Sequence, residues 1–101
     1  MAHYHLGNAL ADQEKFDEAI ESYRTAIRLD PDFGAAHNSL GTALAAQEKL
    51  DEAIESFRTA IRLDPDDALP HTNLGIALHA QGKLDEADAA FARGRELEAR
   101  P

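Results

Sequence analysis

Apolar residues recur along the chain at the spacing of an amphipathic α-helix. One such segment runs from Asp17 to Leu29, and the residues between its apolar positions are charged or hydroxylated. The apolar positions follow the spacing i, i+1, i+4, i+7 and i+8, at Ala19, Ile20, Tyr23, Ala26 and Ile27. Side chains at this spacing share one face of a helix, so the segment is predicted to be a helix with one buried side.

The same segment occurs again 34 residues later. Residues 13–32 read QEKFDEAIESYRTAIRLDPD and residues 47–66 read QEKLDEAIESFRTAIRLDPD, so only two positions differ. A third, more divergent copy follows at the same offset. A fixed period of this length predicts a stack of helix pairs, each pair burying its apolar face against its neighbours. We expect a single domain, with repeats at about 1–33, 34–67 and 68–101.

Charged residues and prolines mark where the helices begin and end. Asp17 and Glu18 would stabilise the positive N-terminal end of a helix dipole. Pro31 ends that helix, because proline disfavours the helical conformation in the residue before it. Asp32, and Asp66 in the second copy, are predicted to cap the helices that follow. These signals predict six helices, over residues 2–14, 17–30, 33–48, 51–64, 67–82 and 85–98.

Each copy has Leu-Gly on its first helix and Ala followed by Tyr or Phe on its second. The positions are Leu6, Gly7, Ala19, Tyr23, Ala26 and Pro31, then Leu40, Gly41, Ala53, Phe57, Ala60 and Pro65, then Leu74, Gly75, Ala87 and Phe91. This pattern resembles the tetratricopeptide repeat, and the resemblance covers essentially the whole chain. It implies an all-α fold, a right-handed α-solenoid of three antiparallel helix-turn-helix repeats with six helices.

The small residues suggest how the two helices of a repeat pack. Gly7 and its counterparts stand on the first helix, and Ala19 and its counterparts stand on the second. We expect glycine and alanine to face each other and let the helices approach closely. The aromatic residue of the second helix would then fill the space farther along.

The chain departs from the family pattern at two kinds of position. His3, His37 and His71 replace the family's usual tryptophan, and we interpret them as aromatic-sized fillers between helices. Identical positions on parallel helices point the same way and do not converge on one ion, so no metal site is predicted. Glu14 and Glu48 replace the usual glycine between the helices, and we expect both to adopt a left-handed conformation.

The two ends of the stack differ in polarity. Asp88 and Arg95 replace the isoleucines that the first two copies carry at the same positions of the second helix. A charged outer face predicts a capping repeat at the C-terminal end. The N-terminal edge comprises Ala2, Leu6, Ala9 and Gln13. No charged residue replaces an apolar one there. That edge could meet another chain, so self-assembly by dimerisation or end-to-end stacking is an alternative function.

The family resemblance implies a protein–protein interaction module or scaffold. The first helices of such repeats line a concave groove that holds a peptide segment of a partner. By resemblance, the groove residues are Tyr4, Asn8, Asp12, Asn38, Thr42, Ala45, Thr72, Asn73, Ile76 and His79. Other family members carry a ladder of Asn along this groove. The ladder is mostly absent here, because its positions hold His5, Ser39 and Asn73.

Charge narrows the choice of partner. Ten Lys and Arg stand against nineteen Asp and Glu, a net charge of −9, which disfavours nucleic acids and anionic membranes. Residues 2–13, 36–47 and 70–81 contain no Lys or Arg, so the basic clamp that some family members close on a carboxylate cannot form. We expect a neutral to basic protein or peptide as the partner.

No sequence feature predicts catalysis or a cofactor. There is no glycine-rich phosphate loop, no motif joining Ser or Cys to His and an acid, and no cysteine. The aspartates around Pro31 and Pro65 lack the spacing of a calcium loop and are interpreted as turn formers. The chain shows no signal peptide and no membrane helix, and the lack of cysteine fits a reducing compartment. We therefore expect a cytoplasmic protein that is not an enzyme and holds no cofactor.

Overall fold

A computed structural model describes all 101 residues as six α-helices without a β-strand. The helices are α1 (Ala2–Asp12), α2 (Phe16–Leu29), α3 (Gly34–Ala46), α4 (Leu50–Leu63), α5 (Ala68–Ala80) and α6 (Leu84–Glu98). Their number and order agree with the prediction. The first helix of each pair ends two residues earlier than predicted, because the chain already turns there.

The turns inside the helix pairs explain the early ends. The backbone N–H of Lys15 donates to the Leu10 carbonyl at 2.9 Å, and that of Glu14 donates to the Ala11 carbonyl at 2.9 Å. This pair of bonds is the Schellman motif, which needs a left-handed residue just after the helix. Glu14 and Glu48 supply it with a φ of 60°, and Gly82 supplies it in the third copy with a φ of 77°. The expected left-handed glutamates are confirmed.

The predicted helix caps require a correction. The N-caps of α3 and α5 are Phe33 and Asp67, not Asp32 and Asp66, because each helix begins one residue later than expected. Asp67 accepts a bond from the Leu69 N–H at 3.2 Å. The Asp32 N–H instead donates to the Asp30 carboxylate at 3.3 Å, so that Asp32 belongs to the turn.

Each repeat is held together by an aromatic ring lying against a glycine. A Cβ added to Gly7 would stand 2.6 Å from Tyr23 Cε1, and one added to Gly41 would stand 2.6 Å from Phe57 Cε1. In the third copy, a Cβ added to Gly75 would stand 2.7 Å from Phe91 Cδ1. The expectation that glycine faces alanine, with the ring farther along, was therefore wrong. The ring occupies the space of the missing side chain.

Neighbouring repeats pack the second helix of one copy against the first helix of the next. Leu40 on α3 and Leu74 on α5 are each only 7% exposed in this interface. At its edge, Gln47 Nε2 donates to Asp17 Oδ1 at 2.5 Å, and the bond recurs one repeat later between Gln81 and Asp51 at 2.6 Å. The interface therefore has an apolar centre and a repeated polar tie.

Two of the repeated histidines link a first helix to the turn before it. His37 Nε2 lies 2.9 Å from the Pro31 carbonyl oxygen, and His71 Nε2 lies 3.1 Å from that of Pro65. His3 is exposed. The interpretation as a filler between helices was wrong for His3, which is exposed, whereas His37 and His71 are half-buried and also contact a turn.

The helix contacts give the stack its curvature. Cα atoms of α1 and α3, and of α3 and α5, come within 8 Å of each other, whereas those of α2, α4 and α6 do not. Because the first helices are closer together than the second helices, the stack curves with α1, α3 and α5 on its concave side. The predicted all-α helical solenoid is confirmed.

The last helix exposes charge where the earlier copies bury isoleucine. Ile20 and Ile54 are 7% and 8% exposed, whereas Asp88 at the equivalent position of α6 is exposed, as is Arg95. This face of α6 is therefore charged at two positions where the preceding repeats carry buried or partly buried isoleucine.

Replacing Gly41 by alanine should destabilise the fold by about 2 kcal/mol, because the new methyl group would overlap the Phe57 ring. Urea denaturation followed by circular dichroism measures the change. Gly34→Ala is the matched control, because the Cβ there would stand at an ordinary van der Waals distance of 3.7 Å from Leu63 Cβ. Equal stability of the two variants would contradict the proposed role of the glycine–ring contact.

Replacing Glu48 by glycine should raise the free energy of unfolding by about 1 kcal/mol, because its φ of 60° costs an L-residue energy that glycine avoids. The same denaturation experiment tests this. Glu55→Gly, in the middle of α4, serves as the control and should lower stability by about 1 kcal/mol. A loss of stability in both variants would refute the explanation.

Candidate functional site

The concave side carries a groove of about 410 Å³ between the first helices. We call it the concave groove. It is lined by Asn8, Ala11 and Asp12 of α1, Phe16 and Tyr23 of α2, Asn38, Ser39, Thr42 and Ala43 of α3, and Leu69 and Asn73 of α5. Three of the five polar uncharged residues that its first helices contribute are asparagines, and Asp12 is its sole charged residue.

Two hydrogen bonds order the asparagines of the concave groove. The Tyr23 hydroxyl donates to Asn8 Oδ1 at 2.6 Å, and Asn73 Nδ2 donates to Asn38 Oδ1 at 3.0 Å. Burial raises the pKa of Tyr23, so the phenol stays protonated and remains a donor at neutral pH. The bonds hold the amides in place while leaving other amide atoms to bind a ligand.

The remaining amide atoms match the groups of a peptide backbone. A primary amide has two N–H donors and one carbonyl acceptor. Asn8 and Asn38 use their oxygens internally and keep their Nδ2 donors, and Asn73 keeps its Oδ1 acceptor. An extended peptide carries both a carbonyl and an N–H at each residue, so it can pair with both kinds of group.

Half of the ten predicted site residues line the concave groove. They are Asn8, Asp12, Asn38, Thr42 and Asn73. Tyr4 lies beside the groove, with its ring centroid 6.1 Å from that of Tyr23 and 4.8 Å from that of Phe33. It therefore supports the Tyr23 ring from the N-terminal side.

The other four predicted residues lie outside the groove. Thr72 faces α6, where its Oγ1 stands 2.7 Å from the position of a Cβ on Gly94. This differs from the prediction because Gly94 replaces the alanine of the other copies and leaves room there. Ala45 packs against the core, and Ile76 and His79 are exposed farther along α5.

Sequence reasoning missed the apolar part of the groove. Leu69 lines the groove and is 56% exposed on α5, and it was not predicted. Ile76 on the same helix was predicted and is 57% exposed, but it lies outside the groove. Leu69, Asn73 and Ile76 follow the spacing i, i+4 and i+7 of a single helix face, which was a usable signal. Phe16 was missed because it precedes the predicted start of α2 by one residue.

Other kinds of site are not formed by these residues. No three His, Asp or Glu side chains come together in a way that could hold a metal ion. None of the six helices has the length and apolar character required to cross a membrane.

Family comparison agrees with the helix-pair geometry. A family model described as a tetratricopeptide repeat matches residues 4–68, and a second model of that description matches residues 44–101. The chain belongs to the tetratricopeptide repeat (TPR) family. A search of curated protein sequences found no match.

Several solved structures resemble this TPR chain closely. A crystal structure of MamA has a TM-score of 0.92 and 29% identity, covering 96% of this chain and 57% of MamA. The chain thus spans little more than half of that protein. The first TPR of Spaghetti (RPAP3), bound to the HSP90 peptide SRMEEVD, has a TM-score of 0.95 and 27% identity, covering 99% of this chain and 79% of that one.

The second TPR of Spaghetti (RPAP3), bound to the same HSP90 peptide, is also similar. It has a TM-score of 0.93 and 27% identity, and the match covers 95% of this chain and 89% of that one.

Proposed function

We propose that this TPR chain is a protein-interaction module that binds a peptide segment of a partner in the concave groove. Two of its structural neighbours are TPR domains with a bound peptide, which supports a protein or peptide as the partner. The observation that carries the proposal is the set of ordered asparagines, Asn8, Asn38 and Asn73, with amide atoms left unpaired inside the groove.

The ligand we propose is an extended segment that is neutral to basic. Asn8 and Asn38 would donate to its backbone carbonyls, and Asn73 would accept from a backbone N–H. Leu69 and Ile76 offer apolar surface on α5, and Asp12 would attract a basic side chain. Binding then requires no ionised group on the peptide terminus.

The peptide SRMEEVD of the Spaghetti (RPAP3) complexes is a poor candidate for this groove. It ends in two glutamates, a valine and an aspartate, and the helices α1, α3 and α5 carry no Lys or Arg. Without a basic partner, its carboxylates would be desolvated next to Asp12 at a cost in free energy. We therefore propose that this chain binds another class of segment than those neighbours do.

Affinity should be modest. The proposed contacts comprise a few backbone hydrogen bonds and two exposed aliphatic side chains, without a deeply buried aromatic anchor. Interfaces with few such anchors bind weakly, and a dissociation constant of about 10 μM is consistent with this contact set.

The charge preference can be tested with a matched pair of peptides. We expect amidated SRMKKVK to shift the side-chain amide signals of Asn38 and Asn73 in ¹⁵N-correlated NMR spectra, and SRMEEVD to leave them unchanged, because Asp12 attracts only the first peptide. Asp12→Asn should weaken the first interaction about threefold, since an exposed ion pair contributes less than about 1 kcal/mol.

The asparagines themselves are tested by Asn38→Ala and Asn73→Ala. Each should weaken SRMKKVK binding about fivefold by removing about one hydrogen bond. Thr25→Ala on α2, away from the groove, is the control and should bind like the parent chain. Stronger shifts with SRMEEVD than with SRMKKVK would contradict the proposed ligand class.

A second candidate function is self-assembly through the outer face of α1, which comprises Ala2, Leu6, Ala9 and Gln13. Leu6 is 50% exposed, whereas its counterparts Leu40 and Leu74 are 7% exposed beneath a preceding helix. An apolar face that is buried in the other repeats favours covering by another chain. Asp88 and Arg95 disfavour α6 as the covering helix, so we propose contact between two α1 faces.

Self-assembly predicts a molar mass that rises with concentration. Light scattering after size-exclusion chromatography, over a hundredfold concentration range, should approach twice the 11.0 kDa of one chain. Leu6→Glu should restore the mass of a single chain, because it places a charge in the apolar contact. Glu21→Lys on α2 is a control for surface charge. A constant single-chain mass in the parent protein would eliminate this candidate.

A further inference from the structure

A second cleft lies on the convex side of the stack, between α4 and α6. The Cα atoms of these two helices do not come within 8 Å of each other, and α5 forms the floor between them. The cleft encloses about 620 Å³, which is within the range of ligand sites. Leu74 and Leu78 form its floor, and Ile61, Ala89 and Ala90 form apolar walls. We call it the convex cleft.

The preceding repeat contains an equivalent cleft with different walls. The cleft between α2 and α4 has the same leucine floor, Leu40 and Leu44, but it is walled by Glu55 and Ser56 and encloses about 360 Å³. Ala89 and Ala90 stand 34 residues after these two polar residues, at the same repeat positions. Truncation of the two side chains therefore enlarges the convex cleft. Its floor is as buried as that of the preceding cleft, with Leu74 and Leu78 at 7% and 2% exposed against 7% and 1% for Leu40 and Leu44, so the added apolar surface lies on the walls.

The two clefts also differ in the sign of the charges around them. Arg58, Arg62 and Arg93 surround the convex cleft, with Glu86 as the only acidic residue. Around the preceding cleft, Arg24 is the only basic residue beside three carboxylates. Arg93 stands where α4 has Thr59. Arg58 and Arg62 lie on α4 and correspond to Arg24 and Arg28 on α2, so the divergence of the third copy adds Arg93 and removes the carboxylate that Glu55 supplies to the preceding cleft. The result is a basic rim on a chain whose net charge is −9.

The arginines of the rim are available to a ligand. The Arg58–Glu86 pair is 3.7 Å apart with side chains 47% and 60% exposed, and Arg93 pairs with the exposed Glu96. Solvent-exposed ion pairs contribute little free energy, so a ligand can displace them at low cost. Arg62 has no carboxylate partner and bonds only to the Thr59 hydroxyl at 3.5 Å.

We propose that the convex cleft is a second peptide site, which binds a short acidic segment carrying an apolar side chain. The apolar side chain would lie between Ile61 of α4 and Ala89 of α6, above the leucine floor. Neighbouring Asp or Glu carboxylates would bond to Arg62 and Arg93, because a guanidinium binds a carboxylate through two parallel N–H bonds. Such a ligand is the charge opposite of the one proposed for the concave groove, so the chain could bridge two different segments.

The probe is the hexapeptide acetyl-DELLED-amide, titrated into the ¹⁵N-labelled full chain. We expect shifted backbone signals for Ile61, Ala89 and Ala90, and unchanged signals for Asn38 and Asn73 in the concave groove. The triple variant Ala89→Glu, Ala90→Ser, Arg93→Thr should bind at least tenfold more weakly. It introduces only residues that α4 carries at the same positions, so the fold is kept.

The reciprocal variant tests the same explanation without relying on a loss of binding. This variant combines Glu55→Ala, Ser56→Ala and Thr59→Arg. We expect it to bind the probe in the α2–α4 cleft, so that the backbone NMR signals around Leu44 shift when the probe is added. The hexapeptide acetyl-KRLLRK-amide is the charge control and should leave the convex cleft signals unchanged.

Three results would overturn the proposal. The first is equal binding of DELLED to the parent chain and the first triple variant, and the second is a set of shifts confined to the concave groove. The third is binding of decanoate, a small apolar acid, at the convex cleft when DELLED does not bind. Because the two sites are monitored through different residues, failure here is distinguishable from failure of the concave groove.

Discussion

The contact between an aromatic ring and a glycine is the constraint on which the rest of the structure depends. In each repeat the ring lies where the glycine side chain would be, with less than 3 Å to a hypothetical Cβ. This contact sets how closely the two helices of a pair approach. It also positions a side chain of the concave groove. The Tyr23 ring packs on Gly7, and its hydroxyl donates to Asn8 and holds that amide in place. A feature of the proposed binding site is therefore built directly on a packing feature.

The stacking of pairs creates two kinds of surface. The first helices contact one another, and their side chains line a single continuous groove across repeats. The second helices stand apart, so a cleft floored by leucines opens between each consecutive pair. The groove draws on several repeats at once, whereas each cleft belongs to one repeat interface. Substitutions in one repeat can thus alter the lining residues of one cleft and leave those of the other cleft unchanged.

The three copies act as controls for one another. The floor leucines, the glycine–ring contact and the Gln–Asp tie recur because each is required wherever two helices pack. Substitutions in the third copy fall mainly on surface that those contacts leave free, at Asp88, Ala89, Arg93 and Arg95. Gly94 is an exception inside the packing, where it makes room for Thr72. Identical framework contacts with different surfaces are what a binding scaffold requires.

The sequence alone determined the helices, the repeat and the family, because helix periodicity and a 34-residue offset are local or one-dimensional signals. It also predicted the left-handed glutamates, since a turn imposes its conformation on whichever residue stands there. It did not give the ring-on-glycine contact, the turn bonds of His37 and His71, or the apolar contribution of Leu69. These depend on which side chains from different helices point at each other, and that is decided by interhelical distance and rotation. The same limit explains Thr72, whose position depends on Gly94 of another helix, and the convex cleft, which exists only where α4 and α6 stand apart over α5.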